Sequence, residues 1–209
     1  MSRIKYPRTS HLPWSEGAAS DDKIMSSTDH FLGKHVVVTE KCDGENTTLY
    51  RDFIHARSID SKDHWSRHWV KGFWAGMKDS IPEDYRICGE NLYAKHSIEY
   101  ADLPSYFLGF GAWFGELCLP WDETVEVFRR CGVTPVPVLW RGIFGAAQLR
   151  DLAKELDTNK VEGYVVRLAS SFYIEQFENS VGKFVRKNHV NTDEHWLYSS
   201  STGKNHLGG

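Results

Sequence analysis

A lysine that directly follows a run of β-branched residues could do covalent chemistry. Lys41 ends the segment HVVVTEK, and the Asp43-Gly44 pair behind it predicts a tight turn within the pattern KxDGxN. A lysine amine has a reference pKa of roughly 10.4, so it must lose a proton before it can attack a phosphorus atom. Nearby cations, a metal ion or burial can lower that pKa. An ordinary surface lysine before an Asp-Gly turn is the alternative interpretation of this motif alone.

Five further segments follow this motif along the chain. They are HARS (55–58), CGENLYAKHSI (88–98), YFLGFGAW (106–113), VEGYVVRL (161–168) and GKFVRK (182–187). Together with KCDGEN (41–46), they resemble the nucleotidyltransferase motifs of ATP-dependent RNA ligases, which are related to DNA ligases and mRNA-capping enzymes. The resemblance spans about residues 35–190. It implies an α+β nucleotidyltransferase (adenylation) domain of largely antiparallel sheets flanked by helices, an ATP-grasp-like ligase core.

The resemblance implies roles for the residues around the lysine. Lys41 would attack the α-phosphate of ATP and become lysyl-AMP. Glu40 would help to hold the adenine, and Asn46, from the same motif, would belong to the nucleotide-binding site. Arg57 would support the ribose and the incoming 5′-phosphate, which suits a planar guanidinium that can grip phosphate oxygens in pairs. For Arg57 taken alone, a surface arginine at a strand end is the commoner case.

Two glutamates match the acidic positions of the family. The resemblance implies that Glu90 meets the ribose hydroxyls or a metal ion, and that Glu162 binds the divalent cation. Each adjoins a glycine, which allows the backbone to approach a ligand closely. Two separated carboxylates suit Mg²⁺, or Mn²⁺ in its place, because Mg²⁺ takes few protein ligands and keeps several waters.

One aromatic residue matches the position that stacks on the adenine. Phe110 is that residue, and an ordinary core phenylalanine is the alternative. The family usually has an acid straight after this aromatic, whereas Gly111 follows here. Trp113 and Phe107 are therefore kept as substitutes for the stacking role.

The last motif contains three cations. The family commonly has two lysines two residues apart, but here Val185 separates Lys183 from Arg186 and Lys187. Alternation along a strand would place Lys183 and Lys187 on one face and Arg186 on the other. We expect Lys183 and Lys187 to reach the α-phosphate, with Arg186 as the rival. Such cations would lower the pKa of Lys41 and stabilise charge at phosphorus.

Hydrophobic periodicity predicts the elements that carry these residues. Strands are expected at 35–40, 47–50, 53–56, 85–89, 106–114, 161–168 and 183–187. Helices are expected at 63–78, at 122–131, where Gly132 ends the helix, and at 146–156. This order lacks regular βαβ alternation, which favours an α+β fold. We expect an N-terminal arm packed on the core (1–34), the nucleotidyltransferase domain (35–190) and a short C-terminal tail (191–209).

Composition limits the classes of partner and compartment. The 209 residues are 41% hydrophobic and carry a net charge of -3, so contacts to nucleic acid must come from local basic residues. Arg57, Lys62, Arg67 and Lys71 are candidates for RNA contacts, with a solvated charged face as the alternative. No run approaches the roughly 20 apolar residues of a membrane span. The N-terminus does not show the apolar run of a signal peptide, and the four cysteines lie far apart without a CxxC pair. Both features predict a cytoplasmic protein.

The expected activity is that of an ATP-dependent RNA ligase. It would join RNA 5′-phosphate and 3′-hydroxyl ends through lysyl-AMP and an adenylylated RNA 5′ end, and an end-healing kinase or phosphatase is a candidate partner. Only about twenty residues follow the last motif, too few for the OB domain of DNA ligases and capping enzymes. The alternatives are a nick-sealing DNA ligase or ligase subunit, and a catalytically inert nucleotide-binding module.

Overall fold

The computed structural model describes residues 3–157, 159–187 and 203–208. Within these ranges the chain forms twelve strands, three α-helices and four short 3-10 turns. The strands are β1 (Ser10–His11), β2 (His35–Lys41), β3 (Glu45–Tyr50), β4 (Ile54–Ala56), β5 (Tyr85–Asn91), β6 (Phe107–Phe114), β7 (Leu117–Cys118), β8 (Thr134–Pro135), β9 (Val138–Ile143), β10 (Gly163–Leu168), β11 (Phe172–Tyr173) and β12 (Val181–Val185). The helices are α1 (His68–Met77), α2 (Trp121–Cys131) and α3 (Ala146–Glu155).

The strands form two sheets. A five-stranded sheet has the order β1-β12-β10-β2-β9, and a seven-stranded sheet has the order β11-β7-β6-β5-β3-β4 with β8 added beside β6. Neighbouring strands are antiparallel except in the pairs β1–β12 and β6–β8. The predicted α+β class with largely antiparallel sheets is confirmed.

Helices cover the outer faces of the two sheets. On the five-stranded sheet, Leu149 of α3 packs in one core cluster with Tyr164 and Phe184. On the seven-stranded sheet, Val70 of α1 and Phe128 of α2 share a second cluster with that sheet's apolar residues. The inner faces of the two sheets are not covered by these helices and line the space between the sheets.

Local sequence explains where these elements begin and end. Val36, Val37 and Val38 of β2 are fully buried because β2 lies between β10 and β9 and is covered on both faces. Gly132 ends α2 with a φ of +69°, a conformation that glycine adopts at little cost. The helix predicted for 63–78 begins as a 3-10 turn at Trp65–Arg67 and becomes α-helical from His68. The last predicted strand lies two residues earlier than expected, at Val181–Val185.

Part of the segment set apart as an N-terminal arm joins the five-stranded sheet. Its β1 pairs in parallel with β12, and its Leu12, Met25 and Phe31 are buried in the core. Most of the tail predicted for 191–209 lies outside the described residues. Asn205, in the described part of that tail, donates from Nδ2 to the carbonyl of Leu92. The domain boundaries stay predictions. No helix in the described part of the chain is both long and apolar enough to cross a bilayer.

Candidate active site

A cleft of about 300 Å³ lies between the inner faces of the two sheets. Lys41 enters it from the last position of β2. The register pairs Thr39 with Val165 and Val165 with Lys183 across three neighbouring strands. Because side chains alternate along a strand, Lys41 lies on the same face as Thr39 and therefore as Lys183. The fold thus brings residues 41 and 183 to one surface.

Lys41 forms an ion pair with Glu162, a buried residue that is not part of the cleft lining. Its Nζ lies 2.5 Å from Glu162 Oε2, and the Glu162 side chain is only 5% exposed. Gly163, which follows Glu162, pairs with Lys41 across the strands. A Cβ on Gly163 would lie 2.0 Å from the carbonyl oxygen of Phe184, so this close strand approach requires glycine.

The surroundings of Lys41 raise its pKa instead of lowering it. Burial lowers the pKa, but the charges of Glu162 and Glu90 outweigh that effect and hold the proton on the amine. Burial acts in the expected direction, but the expectation of a lowered pKa is wrong for the protein's own groups, because the two carboxylates outweigh burial. Activation of Lys41 requires that these negative charges be offset.

Glu90 is the second carboxyl beside the lysine. It lies in β5, where it pairs with Asn46 of β3, and its Oε1 accepts a hydrogen bond from the Gly44 N–H at 3.3 Å. Burial raises the pKa of Glu90 to about 8; Lys41 opposes this rise, and the charge of Glu162 adds to it. A carboxyl in such a position would be stabilised in its charged form by an added cation.

Glu90 and Glu162 suit a magnesium ion that is held partly by water and phosphate, and they do not form a metal site made of protein ligands alone. Among the described residues, no three His, Cys, Asp or Glu side chains cluster as a metal site. Mg²⁺ is commonly held by one or two carboxylates together with waters and substrate phosphates. Glu162 contacts Lys41 and Glu90 lines the same cleft as Lys41, so two such carboxylates are available near the lysine. The donor set therefore fits Mg²⁺ or Mn²⁺.

Part of the cleft lining is aromatic. Phe110 and Trp113 line it, whereas Phe107 is fully buried in the core, 5.9 Å from Phe73 between ring centroids. Trp113 is also only 1% exposed, so neither substitute offers an open ring face, and the half-buried Phe110 is left for the stacking role. Tyr6 contacts Phe110 edge to face at 5.2 Å. The cleft therefore offers apolar ring surfaces of the kind on which a nucleobase can stack.

The remaining predicted residues divide between two places. Glu40, Asn46, Arg57 and Lys183 line the cleft, and burial raises the pKa of Glu40. Burial, followed by the nearby Lys41 charge, lowers the pKa of Lys183.

Two of the predicted cations lie elsewhere. Arg186 and Lys187 line a separate groove beside α3, together with Trp14 and Arg150. The expectation that Lys187 shares a face with Lys183 is wrong because β12 ends at Val185, and beyond it strand alternation no longer applies.

Sequence reasoning missed several residues that line the cleft. Arg167 is 4% exposed and its Nη2 donates to the carbonyl of Leu119 at 2.7 Å. Alternation from Lys183 through its partner Val165 could have indicated Arg167, two residues further along β10. Tyr6 and Arg8 come from the N-terminal arm. No periodicity in the arm signals them, because long-range pairing with β12 places them there.

Two polar contacts hold the turn that carries the lysine motif. Asp43 Oδ2 accepts hydrogen bonds from the backbone N–H groups of Ser97 and Ile98, at 2.8 and 2.9 Å. Arg67 pairs with Glu45 through two nitrogen atoms, and its Nε lies 2.7 Å from Glu45 Oε2. Arg67 was expected to contact RNA, but its guanidinium is occupied by this mostly buried pair.

Comparison with known proteins agrees with this geometry. A model of the RNA ligase family matches residues 34–185, and no curated protein matches. Among solved structures, a putative ATP-dependent DNA ligase from Aquifex aeolicus has a TM-score of 0.57 and 18% identity, over 89% of this chain and 50% of that one. Naegleria gruberi RNA ligase with PPi has a TM-score of 0.55 and 18% identity, over 90% and 62%. An apo mutant of a Naegleria gruberi RNA ligase has a TM-score of 0.54 and 17% identity, over 77% and 52%.

These structural similarities show a shared fold, and the family match shows more. The chain spans only about half the length of the Aquifex aeolicus protein and of the apo Naegleria gruberi mutant. The family model, in contrast, covers well over half of this chain and includes Lys41, Glu90, Glu162 and Lys183. The protein belongs to the RNA ligase family.

Proposed function

We propose that this protein is an ATP-dependent RNA ligase that joins a 5′-phosphate end to a 3′-hydroxyl end. The observation that carries the proposal is the Lys41 amine in a cleft, paired with Glu162 and close to Glu90, in a chain of the RNA ligase family. The presence of all three groups argues against a catalytically inert nucleotide-binding module.

The first step is the transfer of AMP from ATP to Lys41. The Nζ atom attacks the α-phosphorus, an N–P bond forms, and the P–O bond to pyrophosphate breaks with its electron pair leaving on the pyrophosphate oxygen. Glu162 orients the amine from 2.5 Å, and Lys183 stabilises the negative charge around phosphorus. Glu90 and Glu162 would hold a divalent cation, whose positive charge would offset these carboxylates and favour loss of the Lys41 proton to solvent.

The second and third steps use the same cleft. AMP passes from Lys41 to the 5′-phosphate of the RNA, and the 3′-hydroxyl of the other strand then displaces AMP and seals the backbone. Arg57 is an exposed cation at the cleft, a position that suits binding of an incoming 5′-phosphate. Phe110 offers its ring for the adenine, and Glu40 and Asn46 line the same cleft. Mutants of Naegleria gruberi RNA ligase were solved with ATP and Mn and with AMP and Mn, which supports ATP and a divalent cation as cofactors here.

The proposal also covers partners and location. RNA ends that lack a 5′-phosphate or a 3′-hydroxyl must be converted before this chemistry, so an end-healing kinase or phosphatase would act ahead of this protein. A cytoplasmic location is supported by the cysteines, since all four are free and buried.

The test is a set of joining assays with radiolabelled ATP. Wild-type protein with Mg²⁺ should carry label that survives denaturing electrophoresis and alkali but is released by acid, as expected for an N–P bond, and should join RNA strands that bear 5′-phosphate and 3′-hydroxyl ends. Lys41→Arg keeps the positive charge and should lose both activities, whereas Lys34→Arg, at an exposed site, should keep them. Joining of nicked DNA without RNA would identify a DNA ligase, and a wild-type protein without label would identify an inert module.

A further inference from the structure

The N-terminal arm forms one wall of the cleft. Its residues 6–9 and Asp22 line the same space as Lys41. The parallel pairing of β1 with β12 sets His11 opposite Lys183, so the arm lies directly beside the strand that carries this cation. The pairing of β1 with β12 thus brings Arg8 of the arm to the cleft.

One carboxylate connects Arg8 with Lys183. Asp22 Oδ1 lies 3.2 Å from Arg8 Nη2 and 4.0 Å from Lys183 Nζ, and Oδ2 lies 3.2 Å from His11 Nε2. Asp21 also contacts Arg8, at 3.5 Å. The two cations thus reach the same oxygen atom. An anionic oxygen at this place is stabilised from both sides.

Three cations of the cleft are linked to one another. Lys183 is close enough to Lys41 for their charges to interact, and Asp22 ties Arg8 to Lys183. A triphosphate with its α-phosphorus at Lys41 would extend its β- and γ-phosphates along this series. We propose that Arg8 binds the β- and γ-phosphates of ATP and stabilises the departing pyrophosphate, and that Asp22 is a positioning residue for Arg8. This inference rests on the proposed function.

The chemistry of the first step explains why a cation is needed there. When the bond from Lys41 to the α-phosphorus forms, the electron pair of the broken P–O bond stays on pyrophosphate, which gains negative charge. A guanidinium keeps its charge at any physiological pH and can donate paired hydrogen bonds to phosphate oxygens. The Arg8 side chain is 49% exposed, so N–H donors remain accessible to an anion.

An ion pair that only fixes the arm is the competing explanation. Such a pair would affect all steps of ligation equally, because the arm contributes to the whole cleft. A phosphate-binding role affects only the step that releases pyrophosphate and its reversal. RNA that already carries AMP on its 5′ end bypasses that step, so it separates the two explanations.

The experiment compares Arg8→Gln with Lys5→Gln, a matched loss of an exposed arm cation outside the cleft lining. Three rates are measured: lysyl-AMP formation from ATP, its discharge by pyrophosphate, and sealing of pre-adenylylated RNA. Arg8→Gln should slow the first two by about tenfold or more and leave the third unchanged. Arg8→Lys, which keeps a point charge, should give intermediate rates. Lys5→Gln should match wild type throughout.

Wild-type rates of lysyl-AMP formation and discharge in Arg8→Gln would overturn the inference, as would equal slowing of all three reactions. Calorimetric binding of inorganic pyrophosphate separates this outcome from failure of the proposed function. If wild-type protein forms no lysyl-AMP yet binds pyrophosphate more tightly than Arg8→Gln does, the ligase proposal fails and the anion site stands. If neither protein binds pyrophosphate, the anion site is refuted.

Discussion

The Arg67–Glu45 ion pair should contribute strongly to stability because it is mostly buried. The two side chains are 12% and 11% exposed, and Arg67 Nη1 also donates to the carbonyl of Lys62 at 2.5 Å. Arg67→Ala leaves the Glu45 carboxylate buried without its partner, a loss of about 3–5 kcal/mol. For a chain of this size, that loss lowers the melting temperature by roughly 6–20 °C.

A second arginine provides a control with the same bonding geometry. Arg141 grips Asp122 through two hydrogen bonds of 2.6 Å, but the side chains are 46% and 70% exposed. Arg141→Ala should lower the free energy of unfolding by less than about 1 kcal/mol. The double variant Glu45→Gln with Arg67→Met should recover part of the Arg67→Ala loss, since no unpaired charge remains. Urea unfolding measures all four proteins. Equal losses in Arg67→Ala and Arg141→Ala would refute the reasoning from burial.

Three other changes test the cleft and the strands that form it. Gly163→Ala places a Cβ 2.0 Å from a backbone oxygen and should lower the free energy of unfolding, measured in urea, by about 3 kcal/mol or more. The control Gly72→Ala lies in α1 with open space around it and should raise the free energy of unfolding by about 0.5–1 kcal/mol. Phe110→Ala should raise the KM for ATP roughly tenfold in lysyl-AMP formation, and an unchanged KM would remove it from the adenine site. Chelation by EDTA should abolish labelling of Lys41, and Mg²⁺ or Mn²⁺ should restore it; full labelling in EDTA would contradict a role for metal.

Much of the fold and the centre of the site could be predicted from local patterns. The apolar run before Lys41 predicted a buried strand, and the stop at Gly132 predicted the end of α2. Glu162 could be placed beside the lysine only through the family resemblance, because 121 residues separate the two in sequence. Its contact with Lys41 depends on the register of β2 with β10, which no local pattern specifies.

The errors came from strand ends and from long-range pairing. Lys187 was expected on the face of Lys183, but β12 ends before it, and the limits of an element are the least certain part of a sequence-based prediction. Arg8 and Tyr6 lie in an arm without periodicity, and only its pairing with β12 brings them to the cleft. The pKa of Lys41 was misjudged because nearby carboxylates, whose distances depend on tertiary structure, outweigh burial.

Peptide mapping by tandem mass spectrometry after incubation with ATP and Mg²⁺ tests the central claim most directly. We expect a single phosphoramide-linked AMP on Lys41 and on no other lysine, including Lys183 in the same cleft. The adduct should disappear when pyrophosphate is added, because the first step is then reversed. An AMP attached to a different residue, or an unmodified wild-type protein, would contradict the account.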